Sequence, residues 1–316
     1  MNHVKIGVGF GLWRLGMPSV DMIVRVAERA EEWGLDSFWL SDHLLAPSPE
    51  LDVVATLSLL ASRTTRMKLG PSVLLLNLRH PLLVAKSFAS LDYLSHGRMV
   101  MAVGTGANLA DYAACGIPVE SRGKRLDEGI EVLRTVWREP NASYHGKFFN
   151  FDNVTIDPRP APRTNNDFGT MDIWVGGRSD AALVRAGRQG DGWVAYIVQP
   201  ERYAQSLDKI RSAASAAGRK LEGFAAAHLA FVTVGRDWES AKAVWAEALT
   251  KRYAQDFEPL ARKYGIIGTP QQCAEQLERF RAAGCNYVIL NPIGPAATER
   301  EQVERLAAEV VPMLRG

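Results

Sequence analysis

Short runs of β-branched and apolar residues alternate along this chain with longer stretches in which apolar positions recur every three or four residues. Val4 to Phe10 reads as a strand. Val20, Ile23, Val24, Ala27 and Ala30 then mark one face of an amphipathic helix that Gly34 stops. The rhythm repeats with strand Ser37 to Leu40 and helix Leu51 to Ser62, then strand Met67 to Leu76 and a helix carrying Val84, Ser87, Phe88, Leu91 and Leu94. Strand Arg98 to Gly104 follows, with a helix carrying Leu126, Ile130, Leu133 and Trp137. Further on come strand Asp172 to Gly176 and helix Asp180 to Gln189, then strand Gly192 to Tyr196 and helix Glu201 to Ala217. Strand Leu229 to Val234 leads into a mostly helical Asp237 to Tyr264. Thr269-Pro270-Gln271-Gln272 is a capping box with proline at the first helical position, and it opens a helix to Ala283. Strand Asn286 to Leu290 and helix Arg300 to Leu314 close the series.

Eight strands, each followed by a helix, exceed the roughly six of a doubly wound sheet. The predicted fold is therefore α/β, a single (β/α)8 TIM barrel forming one domain over residues 1–316. One interruption, about 139–170, follows the fourth helix. Pro140, Pro158, Pro160 and Pro162 break any helix there, while Tyr144, Phe148, Phe149 and Phe151 have apolar surface to bury. A long insertion of this kind is either a functional lid or a packed excursion.

Composition narrows the function. Hydrophobic residues make up 47% and charged residues 23%, as in a packed globular protein, and Lys plus Arg total 37 against 35 Asp plus Glu. The resulting +2 excludes the clustered basic excess of a nucleic-acid binder. No apolar run approaches the ~18 residues that span a bilayer. Cys115, Cys273 and Cys285 form no C-x-x-C pair and read as buried reduced thiols, which with the absence of a signal-like start points to the cytoplasm.

In a barrel of this type reactive groups stand at the C-terminal ends of the strands. Gly176-Gly177-Arg178-Ser179 lies between a strand and a helix N-terminus, where backbone N–H groups, the helix dipole and an arginine suit a phosphate. A glycine pair in that place is also compatible with a tight turn. Gly104-Thr105-Gly106 is not a dinucleotide fingerprint, since position 109 is Leu. Asp42-His43 is the one histidine beside a carboxylate at a strand end. Either His43 moves a proton, or Asp42 caps a helix and His43 fills a polar niche. His80, before Pro81, fixes a loop. Phe10, Trp13 and Tyr196 suit either a ring-accepting pocket or the core. No lysine closes a strand, no His, Asp and Glu group suggests a metal, and no G-x-S-x-G elbow appears. A phosphate cradle and one histidine leave the hard chemistry to an organic cofactor.

Several stretches together resemble the luciferase-like monooxygenase family, barrels that use FMN or the deazaflavin coenzyme F420. They include Ala27 to Trp39 with Asp42-His43, Arg79-His80-Pro81, Leu91 to Arg98 with its Ser95-His96-Gly97-Arg98, and Val103 to Gly106. Arg122 to Glu128, Trp174 to Ser179, Gly190-Asp191-Gly192-Trp193, Gly268-Thr269-Pro270 and Ala283-Gly284 continue the likeness in order. The resemblance implies that Gly176, Gly177, Arg178 and Ser179 hold the cofactor phosphate and that Gly104, Thr105 and Gly106 lie along the ribityl chain. It implies that Asp42 and His43 face the ring, that a cis peptide at Ser72-Val73 lies behind it, and that the insertion is a lid beside the site. Ser41-Asp42-His43 is closer to the F420-dependent members, so hydride transfer with His43 as proton carrier is the leading expectation. The F420-dependent sugar-phosphate dehydrogenases carry a glutamate where this chain has Ala107, which argues against glucose 6-phosphate. An FMN-dependent monooxygenase fed by a separate flavin reductase is the alternative. A non-catalytic flavin-binding protein and a cofactor-free phosphate-binding isomerase are the other readings. Partners are expected to be a small-molecule substrate and a second copy in a homodimer, with Leu51 to Ala61 apolar enough to cover that copy or to pack on its own barrel.

Overall fold

The computed structural model describes residues 4–10, 17–45, 49–253, 255–294 and 299–315. Trp13 lies outside them. The chain runs through β1 (Lys5–Phe10), α1 (Val20–Glu32), β2 (Ser37–Leu40), α2 (Val53–Arg63), β3 (Lys68–Pro71), α3 (Pro81–Leu94), β4 (Met101–Val103), α4 (Leu109–Ala114) and α5 (Arg122–Arg138). A hairpin of β5 (Ala142–His145) and β6 (Asn150–Val154) follows, then β7 (Ile173–Gly176), α6 (Asp180–Gln189), β8 (Gly192–Tyr196), α7 (Pro200–Ala216) and β9 (Ala225–Val234). The last part holds α8 (Trp238–Tyr253), α9 (Ala261–Tyr264), β10 (Ile266–Gly268), α10 (Pro270–Ala282), β11 (Tyr287–Pro292), α11 (Glu299–Arg305), a π turn over Leu306–Val310, and α12 (Val311–Arg315).

The strands pair in parallel in the order β3-β2-β1-β11-β9-β8-β7-β4. Bridges Leu69 to Met99 and Leu74 to Val103 join the two ends, so the sheet closes on itself as the expected eight-stranded barrel. Three strands differ from expectation, the fourth by being confined to Met101–Val103. The third strand ends at Pro71, because Leu76–Leu78 coils into a 3₁₀ turn. The seventh is longer, beginning at Ala225, since its alanines pair with Gly192 to Val194 of β8. β10 was not expected. It pairs Ile266–Gly268 with Val232–Val234, where β9 runs on past β11.

Large and small residues fill the barrel interior together. Trp39 and Trp174 stack at 4.9 Å, Tyr287 meets Trp174 edge-on at 4.9 Å, and the Tyr287 hydroxyl donates to Ser37 Oγ at 2.7 Å. A Cβ on Gly70 or Gly192 would stand within 2.9 Å of one of those indoles. Ser37 and Trp39 thus point inward, while Phe38 and Leu40 join the outer core beneath the helices, the period of two that a barrel strand requires. Leu57, Leu60 and Ala61 of α2 are buried in that outer core, so this helix packs on its own barrel. α3 instead leaves Leu83, Tyr93 and Leu94 largely exposed.

The insertion is ordered by its aromatics, and Phe149 meets His80 at the start of α3. Its tip docks on α5, where the Glu128 carboxylate accepts the Lys147 and Phe148 N–H groups at 2.9 and 2.8 Å. The Arg125 guanidinium lies 4.6 Å from the Phe149 ring, and Phe149 is buried. Farther along, Arg163 pairs with the buried Asp92 at 2.8 Å, and Asp92 also accepts from Ala161 N. These contacts tie the segment to α3 and α5, so it is packed on the barrel.

Candidate functional site

Four strand ends build the site. Beyond β3, the Ser72-Val73 peptide is cis. The Val73 side chain lies between the ends of β4 and β7, with Cγ2 2.6 Å from where a Cβ on Gly104 would stand and Cγ1 2.6 Å from one on Gly176. Only glycines admit the branched side chain there. Beside it, the Ser72 hydroxyl is buried without a partner. Leu74 N donates to Ala102 O and Gly104 N to Leu74 O, which locks this segment to β4.

From Val73 the site extends along β7 to a cleft of ≈ 820 Å³, walled by Gly176, Gly177, Arg178 and Ser179 and reaching Tyr196 and Thr105. Gly177 has φ +135°, and a Cβ on it would come 2.8 Å from the Ala182 side chain, so only a bare backbone fits against the first turn of α6. Ser179 caps that helix by accepting from Ala182 N at 3.3 Å. Arg178 donates to Ile197 O at 2.6 Å, and its guanidinium lies 4.8 Å from the Tyr196 ring. Ile197 holds φ at 46°, unusual for a β-branched residue, in the turn that supplies that carbonyl. The cradle, the arginine and the orphaned Ser72 hydroxyl fit a phosphate-bearing cofactor.

On the other side of β3, side chains at the end of β2 alternate in direction. Asp42 is buried, takes the Leu75 N–H at 2.9 Å, and pairs with both Arg79 amino groups at 3.0 and 3.2 Å. Burial raises its carboxyl above the usual range, although Arg79 and the Leu75 N–H pull the other way. Its oxygens are thus taken by the 75–79 loop, and the expectation that Asp42 faces the ring gives way to a role in holding that loop. His43 points elsewhere, with Nδ1 2.7 Å from Glu50 Oε2. The structure therefore joins Ser72, Val73, Gly104, Gly176 and the cradle in one continuous surface. Asp42 is linked to it through Leu75, whose side chain lies 2.9 Å from where a Cβ on Gly106 would stand, while His43 joins Glu50.

Sequence reasoning missed Glu50, because nothing in a loop acid seven residues after a histidine distinguishes it. It also missed the cations Arg122, Arg185, Arg202 and Lys263 of the cleft wall, which come from four separate helices. Other candidates resolve into structure. His80 caps α3, its Nδ1 accepting from Leu82 N at 3.3 Å, and it meets Phe149 edge-on. Phe10 is core against Phe38, while Tyr196 lines the cleft. Cys273 and Cys285 are buried, and burial raises their thiols to about 12 and about 11, but Cys115 is exposed where α4 ends. Among the described residues no helix is long and apolar enough to cross a membrane.

Comparison with known proteins gives the same direction. The profile of the luciferase-like monooxygenase family matches residues 3–287. The F420-dependent glucose-6-phosphate dehydrogenase of Amycolatopsis mediterranei is 27% identical over 93% of this chain and 94% of its own length. The 5,10-methylenetetrahydromethanopterin reductase of Archaeoglobus fulgidus is 25% identical over 90% of this chain and 93% of its own. In fold, the chain superimposes on the monooxygenase RslO1 of Streptomyces bottropensis with a TM-score of 0.83, covering 98% of this chain and 99% of that one at 24% identity.

Proposed function

This chain belongs to the luciferase-like monooxygenase family, and from that premise we propose that it is an oxidoreductase moving a hydride between coenzyme F420 and a small organic substrate. The observation that carries the choice of cofactor is the charge beyond the cradle. Arg122, Arg178, Arg185, Arg202 and Lys263 line the cleft against a single carboxylate, Glu120. FMN ends at its phosphate, whereas F420 continues from it into a tail of linked glutamates, and a wall of five cations, of which Arg185 pairs with Asp127, suits the longer polyanion. One relative named above, the glucose-6-phosphate dehydrogenase, is F420-dependent as well.

When bound, the deazaflavin supplies or accepts a hydride and, with carbon at the reactive ring position, does not activate oxygen. In this reading Gly176, Gly177, Arg178 and Ser179 hold the phosphate, Gly104, Thr105 and Gly106 line the ribityl chain, and Ser72 and Val73 support the ring. Asp42 keeps the 75–79 loop in place beneath them. His43 handles the proton. As an alcohol-type substrate loses hydride from carbon, the hydroxyl proton passes to His43 and a carbonyl forms; in reverse His43 returns that proton. Two electrons and both hydrogens are then accounted for. Ala107 supplies no carboxylate beside Gly106, so glucose 6-phosphate is not the proposed substrate.

Fluorescence titration of the cofactor-stripped protein with F420 and separately with FMN tests this. Tight F420 binding that weakens as salt rises, with weak FMN binding, is the expected result. Tight FMN binding with weak F420 binding overturns it and points to an oxygen-dependent enzyme served by a separate flavin reductase. A folded protein that binds neither removes the cofactor reading altogether.

A further inference from the structure

The geometry points to Glu50 as the positioning residue of the proton carrier, an inference that rests on the reading of His43 given above. Glu50 sits between β2 and α2, and its side chain is only 6% exposed against 34% for His43. Both of its oxygens are engaged. Oε1 accepts the Ser41 hydroxyl, and Oε2 lies 2.7 Å from His43 Nδ1. Ser41 and His43, two residues apart just past β2, both turn toward Glu50. Asp42, between them, turns to Leu75 and Arg79.

A buried carboxylate needs donors, and an ionised one has only acceptor oxygens to offer. The short contact to Nδ1 therefore requires that ring nitrogen to carry its proton. Nε2 becomes the nitrogen that gains or gives up a proton, and among the described residues it has no hydrogen-bond partner. Glu50 thus does three things through one contact. It selects the tautomer, fixes the plane of the ring, and faces the positive charge that appears when Nε2 takes a proton. Ser41 holds the second carboxylate oxygen, which keeps Glu50 itself from rotating.

Nitrogen-15 NMR of the histidine-labelled, cofactor-free protein tests the inference directly. Spectra are taken above the pH range in which ordinary histidine titrates (about 6.5), with the His43→Ala variant identifying the signals. The expected wild-type ring carries its proton on Nδ1. Glu50→Ala is expected to return it to the Nε2–H form that histidine favours in water, while Glu50→Gln, which keeps an acceptor oxygen, retains Nδ1–H. F420 affinity is expected to stay within about two-fold in both variants, since Glu50 does not line the cleft. A wild-type ring protonated on Nε2 overturns the inference without any variant having to fold, and so does an unchanged tautomer in folded Glu50→Ala. Failure of the underlying reading looks different. If His43→Ala keeps its turnover across a panel of small alcohols and ketones, His43 is not the proton carrier, although the Nδ1–H signal remains.

Discussion

Val73 gives the sharpest test of how the site is assembled. Its two methyl carbons stand 2.6 Å from the Cβ positions of Gly104 and Gly176, while its own Cβ stands 3.5 and 3.6 Å from them. Carbon atoms pack best at roughly 3.5–4.0 Å. Gly176→Ala in the native background therefore forces a stiff branched side chain to move by about 1 Å. Turning about χ1 redistributes the two methyls rather than removing them. Overpacking of this kind costs about 1–3 kcal/mol. Val73→Ala alone removes two half-buried methyls and costs about 1 kcal/mol. In the double variant every contact returns to ordinary van der Waals distance, so the loss is expected to stay near that of Val73→Ala. The coupling is then about 1–3 kcal/mol in favour of the pair. For 316 residues, entropy scaling places each kcal/mol near ~1.5 °C of Tm. Thermal melts or denaturant unfolding of all four proteins close the cycle, and F420 titration of the same set follows the ring support. Gly176→Ala is expected to weaken binding and Val73→Ala to restore part of it. Additive losses, within about 0.5 kcal/mol, would refute the picture of Val73 wedged between the glycines.

Two further predictions concern the frame behind the site. Arg98 is buried and donates to Ala61 O, Thr64 O, Thr64 Oγ1, Met67 O and Ser95 O at 2.7–3.0 Å, closing the end of α2. Lysine keeps the charge but cannot span five acceptors, so Arg98→Lys is expected to cost about 2–4 kcal/mol in denaturant unfolding, and a loss below about 0.5 kcal/mol would contradict this role. Glu31 receives the Thr65, Arg66 and Met67 N–H groups. Burial opposes its ionisation, yet those N–H groups hold its carboxyl down at about 2. With the folded value below the unfolded 4.5, its contribution is complete above that pH and disappears as pH falls toward 2. The stability gap between wild type and Glu31→Gln is expected to be about 1 kcal/mol at neutral pH after solvent screening, and to narrow across that window. A gap that widens with acid would reverse the assignment.

What could be read from the chain followed from periodicity and from backbone chemistry. The eight barrel strands sit where short apolar runs and glycine punctuation placed them, with β3 and β4 shorter and β9 longer, because a strand buried on both faces leaves a continuous apolar record. The cradle was legible for a related reason. Gly177 and Ser179 are constrained by their own backbone, one by an approach no side chain permits and the other by a cap, and such constraints lie within a few residues. β10 escaped because three residues are too few to show a period, and they pair only because β9 outruns its neighbour. The hairpin escaped because its burial comes from Glu128 and Arg125 on α5, not from its own pattern.

The same division separates the two halves of the site. The proposed phosphate end is a property of local sequence, whereas the proposed proton-handling end depends on how a loop returns. Asp42 and His43 are adjacent in sequence and carry the same apparent promise, yet the strand's alternation sends them to opposite surroundings. Asp42 meets a guanidinium and a backbone N–H, which spends its charge on holding a loop. His43 meets one carboxylate at one nitrogen and keeps the other free of any partner among the described residues. Adjacent residues at a strand end therefore call for opposite expectations, and the one whose partner leaves an atom unspent is the one to place in the chemistry.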